Sequence, residues 1–267
     1  MRTSVSEYHA FYESPLGRLT QSILHTKLVT AWGEAKNVRL AGFGFTDPYL
    51  KDICQTDMQL SMIPEGIGAQ TAPLHPTCLV HDHHWPLPDA SIDRLVVIHG
   101  LEETTKPRRL LREIWRVLTD DGLVIFVVPN RRGLWSLIET NPFAAGRPYS
   151  LRQLNSLLEE SLFTATSHTT ALHFPPMTSP FFLTIAKSWE KLGSRLRKWR
   201  APLNWPHVAG VNLVEARKGA ALPITGSKAD VLSPEIFAPQ GMHPLPTAHG
   251  RDKIKSAASE KRLARKA

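Results

Sequence analysis

The 267-residue sequence has few cysteines and no long apolar run. Its two cysteines, Cys54 and Cys78, form no Cys-x-x-Cys pair, so no disulfide framework is expected. No run approaches the roughly 20 apolar residues that span a bilayer. The first residues contain no apolar segment typical of a secretory signal. These absences predict a soluble protein of a reducing, cytoplasmic compartment.

The main body of the chain also lacks an excess of positive charge. The formal net charge is +8, but the segments 187–200 and 251–267 carry +5 each, so the remainder sums to −2. Long-range attraction to anions should therefore be confined to those two segments. This distribution disfavours nucleic acid as a partner.

The pattern of apolar residues predicts alternating helices and buried strands. A helix is expected over residues 14–33, because Ser14 can cap it, Pro15 suits its first turn and Gly33 can end it. Short apolar runs predict four buried strands, at 38–43, 58–63, 78–80 and 95–98. A turn-rich connection after the first run leads into another predicted helix.

The clearest unit begins near Pro107. A threonine cap, an apolar face of Leu110, Leu111, Ile114 and Leu118, a turn at Asp120–Gly122 and the strand 123–128 are predicted in that order. The strand is almost continuously apolar, as expected for a sheet covered on both faces. A helix capped by Ser150 and two late strands, at 168–174 and 210–217, follow. The alternation predicts a three-layer α/β sandwich.

Four parts of the chain are expected. Residues 1–34 form an N-terminal helical segment, and residues 35–219 form the α/β domain. Within that domain, residues 177–206 form an amphipathic helical insertion before the last strand. Residues 220–267 are rich in proline and polar residues and are expected to be a mostly disordered basic tail.

Ligands of an open parallel sheet bind at the carboxyl ends of its strands, which directs attention to three loops. The first contains Gly42 and Gly44, whose missing side chains let a backbone approach a ligand. A tight strand-to-helix turn explains the same two glycines. Both interpretations stay open on the pattern alone.

The second loop contains His81, Asp82, His83 and His84. Because these residues are contiguous and no second cluster matches them, a metal site is disfavoured. Asp82 is instead expected to accept a hydrogen bond from a ligand amine or hydroxyl. His99 ends the next strand and should point into the same cleft, unless it is a buried structural histidine.

The third loop contains Asn130, Arg131 and Arg132, directly after the most apolar strand. Two adjacent arginines beside a cleft can hold a carboxylate or phosphate of a substrate. They can equally solvate the loop.

Two stretches of the sequence, residues 85–93 and 110–130, resemble a known protein family. Residues 85–93, Trp-Pro-Leu-Pro-Asp-Ala-Ser-Ile-Asp, resemble the Leu-Pro-Phe-x-Asp-x-Ser-Phe-Asp signature of class I S-adenosylmethionine-dependent methyltransferases, in particular the type 11 group. Residues 110–130 resemble the helix, turn and fifth strand of that group. The stretches "FYESPLG", "PNRRGLW" and "GRPYS" are similar to a bacterial subgroup of unassigned substrate.

The resemblance implies a Rossmann-like methyltransferase sandwich with a mostly parallel seven-stranded sheet and an antiparallel last strand. It implies S-adenosylmethionine as the cofactor and, by position, a set of contacts to it: Gly42, Phe43, Gly44, Met62, Glu65, Asp82, His83 and His99. Asp82 takes the position that usually meets the adenine amine. The sequence departs from the family where Leu40 replaces the leading acid and where Phe45 and Thr46 replace a third glycine. It also lacks an acid at the tip of the second strand.

The predicted insertion carries an apolar stripe that includes Trp189 and is flanked by basic residues. Four interpretations remain open for this helix: a lid over the substrate, a peripheral contact with anionic lipid through residues 182–200, a docking face, or packing on its own domain. Trp189 is therefore a predicted substrate contact.

The sequence predicts a methyltransferase acting on an unidentified small-molecule or lipid-like substrate. His99 is the expected general base because histidine ionises near neutral pH, and Glu102 is the second choice. Asn130, Arg131 and Arg132 are expected to contact the substrate. A catalytically inactive binding protein of the same fold is the first alternative, and an RNA methyltransferase is the second.

Overall fold

A computed structural model describes residues 2–69, 73–179, 182–186, 188–190 and 209–219. They form a seven-stranded sheet of β1 (Val38–Gly44), β2 (Thr56–Pro64), β3 (Thr77–Val80), β4 (Ile92–Ile98), β5 (Leu118–Pro129), β6 (Phe163–Ala171) and β7 (Val211–Lys218). The strand order is β3-β2-β1-β4-β5-β7-β6. The pairs from β3 to β5 are parallel, and β7 runs antiparallel to both of its neighbours. The predicted fold class is confirmed.

The α-helices whose full bounds lie within the described residues are α1 (Val5–Glu13), α2 (Pro15–Trp32), α3 (Asp47–Leu50), α4 (Pro107–Val117) and α5 (Leu151–Glu160). Short 3₁₀ turns lie at Leu134–Ser136 and Pro142–Ala144. The helix predicted over 14–33 is confirmed as α2, with Ser14 accepting from the Gly17 amide. The Ser150 cap of α5 is confirmed too, as a capping box with Gln153.

Alternate residues of each strand face opposite layers of the sandwich. In β4, Val96 and Ile98 pack with α1 and α2, whereas Leu95 and Val97 pack with α4 and α5. All four side chains are fully buried. Because each such side chain contributes about 1.5–3 kcal/mol on burial, the central strands hold both layers firmly. The carboxyl ends of β1 to β4 meet at one edge, here called the carboxyl rim.

The helix predicted after β1 is present as a single turn, α3. Two other local predictions need correction. No threonine caps α4: its N-cap is Lys106, and the Thr104 hydroxyl is engaged in a bond to Asp82. The expected turn at residues 120–122 lies inside β5, and Leu118 is the first residue of that strand rather than part of α4. Pairing moves from Ile92–Leu118 to Arg94–Leu123, so the extra β5 residues form an irregularity within the ladder.

The helix α1 was not predicted as a separate element. Ser4 and Glu7 form a capping box at its start, and Val5, Tyr8 and Tyr12 are its buried residues. A sharp corner joins α1 to α2, because a Cβ on Gly17 would lie 1.9 Å from the Phe11 carbonyl oxygen. Glycine at position 17 therefore lets the two helices meet at that angle.

The predicted insertion is described only in part, as helical residues 182–186 and 188–190. Residues 191–206 of the predicted insertion and the predicted tail, residues 220–267, lie outside the described residues. Within the described part of the chain, no helix has the length and apolar character needed to cross a membrane.

Candidate functional site

The two glycines of the first loop are required by the protein's own packing. Gly44 has φ +100°, and a Cβ there would lie 2.0 Å from the Ile98 carbonyl oxygen. A Cβ on Gly42 would lie 2.1 Å from the Thr46 hydroxyl oxygen. The spaces that these glycines leave are thus filled by β4 and by Thr46. Phe43 and Phe45 are both buried beside them.

Asp82 lies just after β3 and accepts hydrogen bonds, as predicted. Its donors are residues of the chain itself and not those of a ligand. Both Arg2 guanidinium nitrogens donate to it, with Nη1 lying 2.8 Å from Oδ1. The Thr104 hydroxyl donates a third bond at 2.9 Å. Burial alone would raise the pKa of Asp82, but the bonds and charge of Arg2, with Thr104, hold it below its usual value.

Residues near Asp82 complete this end of the rim. The Glu65 side chain is exposed, and its Oε1 lies 3.9 Å from Nε2 of His81. His83 packs edge-on against the His81 ring, with the ring centroids 4.3 Å apart. Burial and the neighbouring positive charges lower the pKa of His83. Met62, the remaining predicted cofactor contact of β2, is fully buried against the α4 side of the sheet.

His99 follows β4 with φ +55° and is fully buried. Its Nε2 lies 2.7 Å from the Tyr12 hydroxyl, and its Nδ1 lies 3.4 Å from Oε1 of Glu102. The Phe143 ring covers another side of the imidazole, with centroids 4.6 Å apart. Within the described residues, neither Glu102 oxygen has a hydrogen-bond donor. A buried carboxylate without donors is costly, so this arrangement is typical of a functional group.

Glu103 lies beside this pair and is bound to the N-terminal segment. The Tyr8 hydroxyl donates to its Oε1 at 2.7 Å, and Arg2 Nε donates to its backbone carbonyl at 3.3 Å. Burial raises the pKa of Glu103. Burial and the charges of Glu103 and Glu102 together raise the pKa of Tyr8 well above its usual value. Tyr8 therefore stays a neutral donor at physiological pH.

The residues predicted to contact the substrate serve different local purposes. The Asn130 side chain donates to the Ala209 carbonyl at 2.9 Å and accepts from the Arg132 amide, so it shapes the loop. Arg131 and Arg132 are exposed. Trp189 is 39% exposed and packs edge-on against Phe182. Among the contacts of the described residues, none joins Arg131, Arg132 or Trp189 to His99 or Asp82.

A groove of about 900 Å³ opens between α1 and the loop of residues 139–145. Its apolar lining includes Ala10, Phe11, Leu16 and Ala144, and its two charged residues are Glu7 and Glu139. Phe11 packs edge-on against Phe143, which in turn covers His99. An aromatic wall thus separates the groove from the buried His99–Glu102 pair.

Comparison with known proteins agrees with this architecture. Residues 41–126 match the type 11 methyltransferase family model, described as "Methyltransferase domain". A crystallised S-adenosylmethionine-dependent methyltransferase of Thermotoga maritima is 16% identical, with a TM-score of 0.54, and covers 80% of this chain and 95% of its own. One from Archaeoglobus fulgidus is 15% identical, with a TM-score of 0.50, and covers 74% and 94%. The structural similarity shows the fold.

The fold and the match of residues 41–126 are those of a class I methyltransferase domain. More particularly, the match is to the type 11 group, and S-adenosylmethionine is the cofactor that such a domain implies. Escherichia coli K12 protein YafS, whose name assigns no activity, is 26% identical over 223 residues, covering 79% of this chain and 80% of its own. The predictions of the family, the enzyme class and the cofactor are confirmed at this level.

The carboxyl rim in its described arrangement does not accommodate that cofactor. The acceptor Asp82 is bound to Arg2, Tyr8 stacks on Phe45 with centroids 4.7 Å apart, and Tyr12 is bonded to His99. The three α1-segment residues in these contacts were not predicted as site residues. Two sequence signals lie in the segment: the Ser-x-x-Glu capping box at Ser4 and Glu7, and the stretch "FYESPLG", which contains Tyr12.

Proposed function

We propose that the methyl acceptor is a small, largely apolar organic molecule that binds in the groove between α1 and residues 139–145. The observation that supports this is the chemistry of the groove, whose described lining contains two carboxylates and no lysine or arginine. Its volume lies within the range typical of small-molecule sites. Nucleic acid needs basic contacts for its phosphates, and the residues described around this groove provide none.

His99 is the proposed general base, and Glu102 is its positioning partner. Nε2 of His99 faces the α1 side, where Tyr12 occupies it and the Phe11–Phe143 wall separates it from the groove. If the acceptor must lose a proton, Nε2 can take it once Tyr12 and this wall have moved aside. Glu102 beside Nδ1 then stabilises the imidazolium. Methyl transfer depends mainly on the relative position of its reactants, so no further acid or base is required. Arg131 and Arg132 are not part of the described groove lining, so they remain proposed contacts only for an acidic substrate group that projects beyond the groove.

The remaining predicted residues keep their proposed roles around the cofactor. Gly42, Phe43, Gly44, Met62, Glu65, Asp82, His83 and His99 lie at or below the carboxyl ends of β1 to β4. Trp189 and the segment 182–200 are proposed as a lid or a peripheral lipid contact. Cytoplasmic location, with that optional membrane contact, remains part of the proposal.

A substitution that fills the groove tests the proposed acceptor site. Ala10→Trp should lower methyl transfer to small-molecule acceptors at least 10-fold, measured with radiolabelled S-adenosylmethionine against panels of small molecules and RNA. Ser156→Trp, on the exposed face of α5, is the matched control. Unchanged transfer in Ala10→Trp, or transfer to RNA alone, would contradict the proposal.

The inactive alternative has one observation in its favour, which is the coverage of the carboxyl rim by the chain's own residues. Titration calorimetry with S-adenosylmethionine separates the two functions. The enzyme requires saturable binding by folded protein, whereas no heat at millimolar cofactor supports the binding-protein alternative.

A further inference from the structure

The segment of residues 2–13, here called the α1 segment, contacts the ends of all four strands of the carboxyl rim. Arg2 binds Asp82 after β3, and the Val5 amide donates to the Ile67 carbonyl after β2 at 3.0 Å. Tyr8 stacks on Phe45 after β1, and Tyr12 bonds to His99 after β4. The α1 segment thus occupies the groups that a ligand of the carboxyl rim would need.

The chemistry of these contacts resembles that of a nucleoside ligand. The planar, cationic guanidinium donates two bonds to the Asp82 carboxylate, as an exocyclic amine would donate one. The phenol rings of Tyr8 and Tyr12 both stack on Phe45, with centroids 4.7 and 5.5 Å apart. The segment therefore satisfies an acceptor and an aromatic surface that would otherwise be exposed.

We propose that the α1 segment is an internal competitor of the cofactor, which must be displaced from the carboxyl rim before S-adenosylmethionine can bind. Displacement frees the Asp82 acceptor and the Nε2 nitrogen of His99 in the same movement. The cofactor site and the proposed base therefore become available together. The α1 segment also lines the proposed acceptor groove, so that groove must form again around the acceptor after the cofactor has bound. The displacement itself does not depend on the identity of the methyl acceptor.

The composition of the segment suits reversible attachment. Its polar contacts, Arg2 to Asp82 and Tyr8 to Glu103, can be replaced by water or ligand when it leaves. The Arg2 side chain is 21% exposed, so the outermost contact is open to solvent. In contrast, the next helix, α2, is attached by Leu24, Leu28 and Trp32, which are buried apolar side chains. We expect the chain to open at the α1–α2 corner around Ser14.

Competition of this kind lowers the apparent affinity by the fraction of molecules that are open. Arg2→Ala removes the two charged hydrogen bonds and should increase the open fraction. The apparent Kd for S-adenosylmethionine should fall about 10-fold, measured by calorimetry at constant salt. Arg2→Lys should give an intermediate value, because lysine keeps the charge but not the paired geometry. Arg108→Ala, which removes an exposed ion pair to Glu160, is the matched control and should not change the Kd.

Hydrogen exchange of the unmodified protein gives an independent test that needs no variant. Adding S-adenosylmethionine should increase exchange of amides 8–13, while those of α2 keep their protection. Two results would overturn the proposal: greater protection of α1 in the bound protein, or the same Kd for Arg2→Ala and the unmodified chain. Absence of cofactor binding in both proteins would also overturn it. A loss of turnover in Ala10→Trp with normal cofactor binding bears on the acceptor groove alone.

Discussion

Two buried histidine–glutamate pairs lie just beyond the ends of strands β4 and β6, and they differ in how completely they are hydrogen-bonded. His99 and Glu102 follow β4, and His173 follows β6 and meets Glu190 of the insertion. Glu190 Oε2 accepts from both the backbone amide and Nδ1 of His173, at 2.9 and 3.0 Å. Nε2 of His173 lies 3.0 Å from the Thr170 hydroxyl.

The difference gives the two pairs different roles. The His173–Glu190 pair, here called the clamp, is structural, whereas the His99–Glu102 pair is functional. The His173–Glu190 pair satisfies both ring nitrogens and the backbone amide of His173, and Glu190 Oε1 alone has no donor within the described residues. The pair therefore fixes helical residues 188–190 to the end of β6. Glu102 approaches His99 at only 3.4 Å, and neither of its oxygens has a donor within the described residues. Burial of ionisable groups alone is therefore a poor guide to function, and the unused bonding capacity is the better guide.

The largest effect is expected from breaking the clamp. Glu190→Ala leaves the His173 amide and ring without their acceptor and should lower the free energy of unfolding by about 3 kcal/mol. Urea unfolding followed by fluorescence measures it, and Ser188→Ala, exposed on the same helical stretch, is the control. A loss below 0.5 kcal/mol would remove the distinction between the two pairs.

A smaller loss of stability is expected when the hydrogen bond between Tyr12 and His99 is removed. Tyr12→Phe leaves Nε2 of the buried His99 without its partner and should cost about 1–2 kcal/mol of stability. The same change should weaken the attachment of the α1 segment and strengthen cofactor binding. If unfolding and calorimetry both show no change, the Tyr12–His99 bond does not hold the segment.

The ion pair between Arg39 and Asp93 is more exposed than either histidine–glutamate pair. It therefore provides a reference for the stability contributions of both pairs. The bonds from Arg39 lower the pKa of Asp93 to about 2, despite the opposing effect of partial burial. Because this folded value lies below the unfolded value of about 3.9, the contribution is complete above pH 4 and is lost as the pH falls towards 2. Asp93→Asn should cost about 1 kcal/mol at pH 7, since solvent screens a partly exposed pair.

Urea unfolding at a series of pH values tests this prediction. The stability difference between Asp93→Asn and the unmodified protein should shrink below pH 4 and vanish near pH 2. A difference that is independent of pH would assign the loss to packing and not to the ion pair.

The smallest change in stability is expected for Glu102→Gln. A neutral amide replaces a buried carboxylate that has no donor, so the free energy of unfolding should change by less than about 1 kcal/mol, in either direction. Methyl transfer should nevertheless fall, with kcat affected more than KM for the acceptor. A stability loss equal to that of Glu190→Ala would make the first pair a clamp as well.

The fold could be predicted because its signals are local. Apolar runs, the Ser14 and Ser150 caps and the Trp85–Asp93 signature each lie within about one element of the chain. Periodicity located β1 to β5 to within a few residues, but it could not show that residues 120–122 belong to an irregular part of β5. Ladder registers depend on pairing between strands, which a single strand's sequence does not encode.

The arrangement of the site could be predicted only in part. Asp82 and His99 are placed at the rim by the ends of their strands, and that placement follows from the alternation of elements. Their partners, Arg2 and Tyr12, lie 80 and 87 residues away in the sequence. In α1, aromatic and charged residues alternate without a wide apolar stripe, so periodicity did not mark the helix. Which segment covers a rim is decided by tertiary packing.

The long separation of those contacts has a consequence for folding kinetics. The α1 segment can dock only after β3 and β4 have assembled, because its hydrogen bonds to Asp82, His99 and Glu103 span 80 to 101 residues. Such contacts form late and are expected to be weak in the transition state. Substitutions at Arg2, Tyr8 or Tyr12 should therefore accelerate unfolding and leave the refolding rate nearly unchanged. A stopped-flow chevron with an altered unfolding arm would place the docking of this segment after the main barrier.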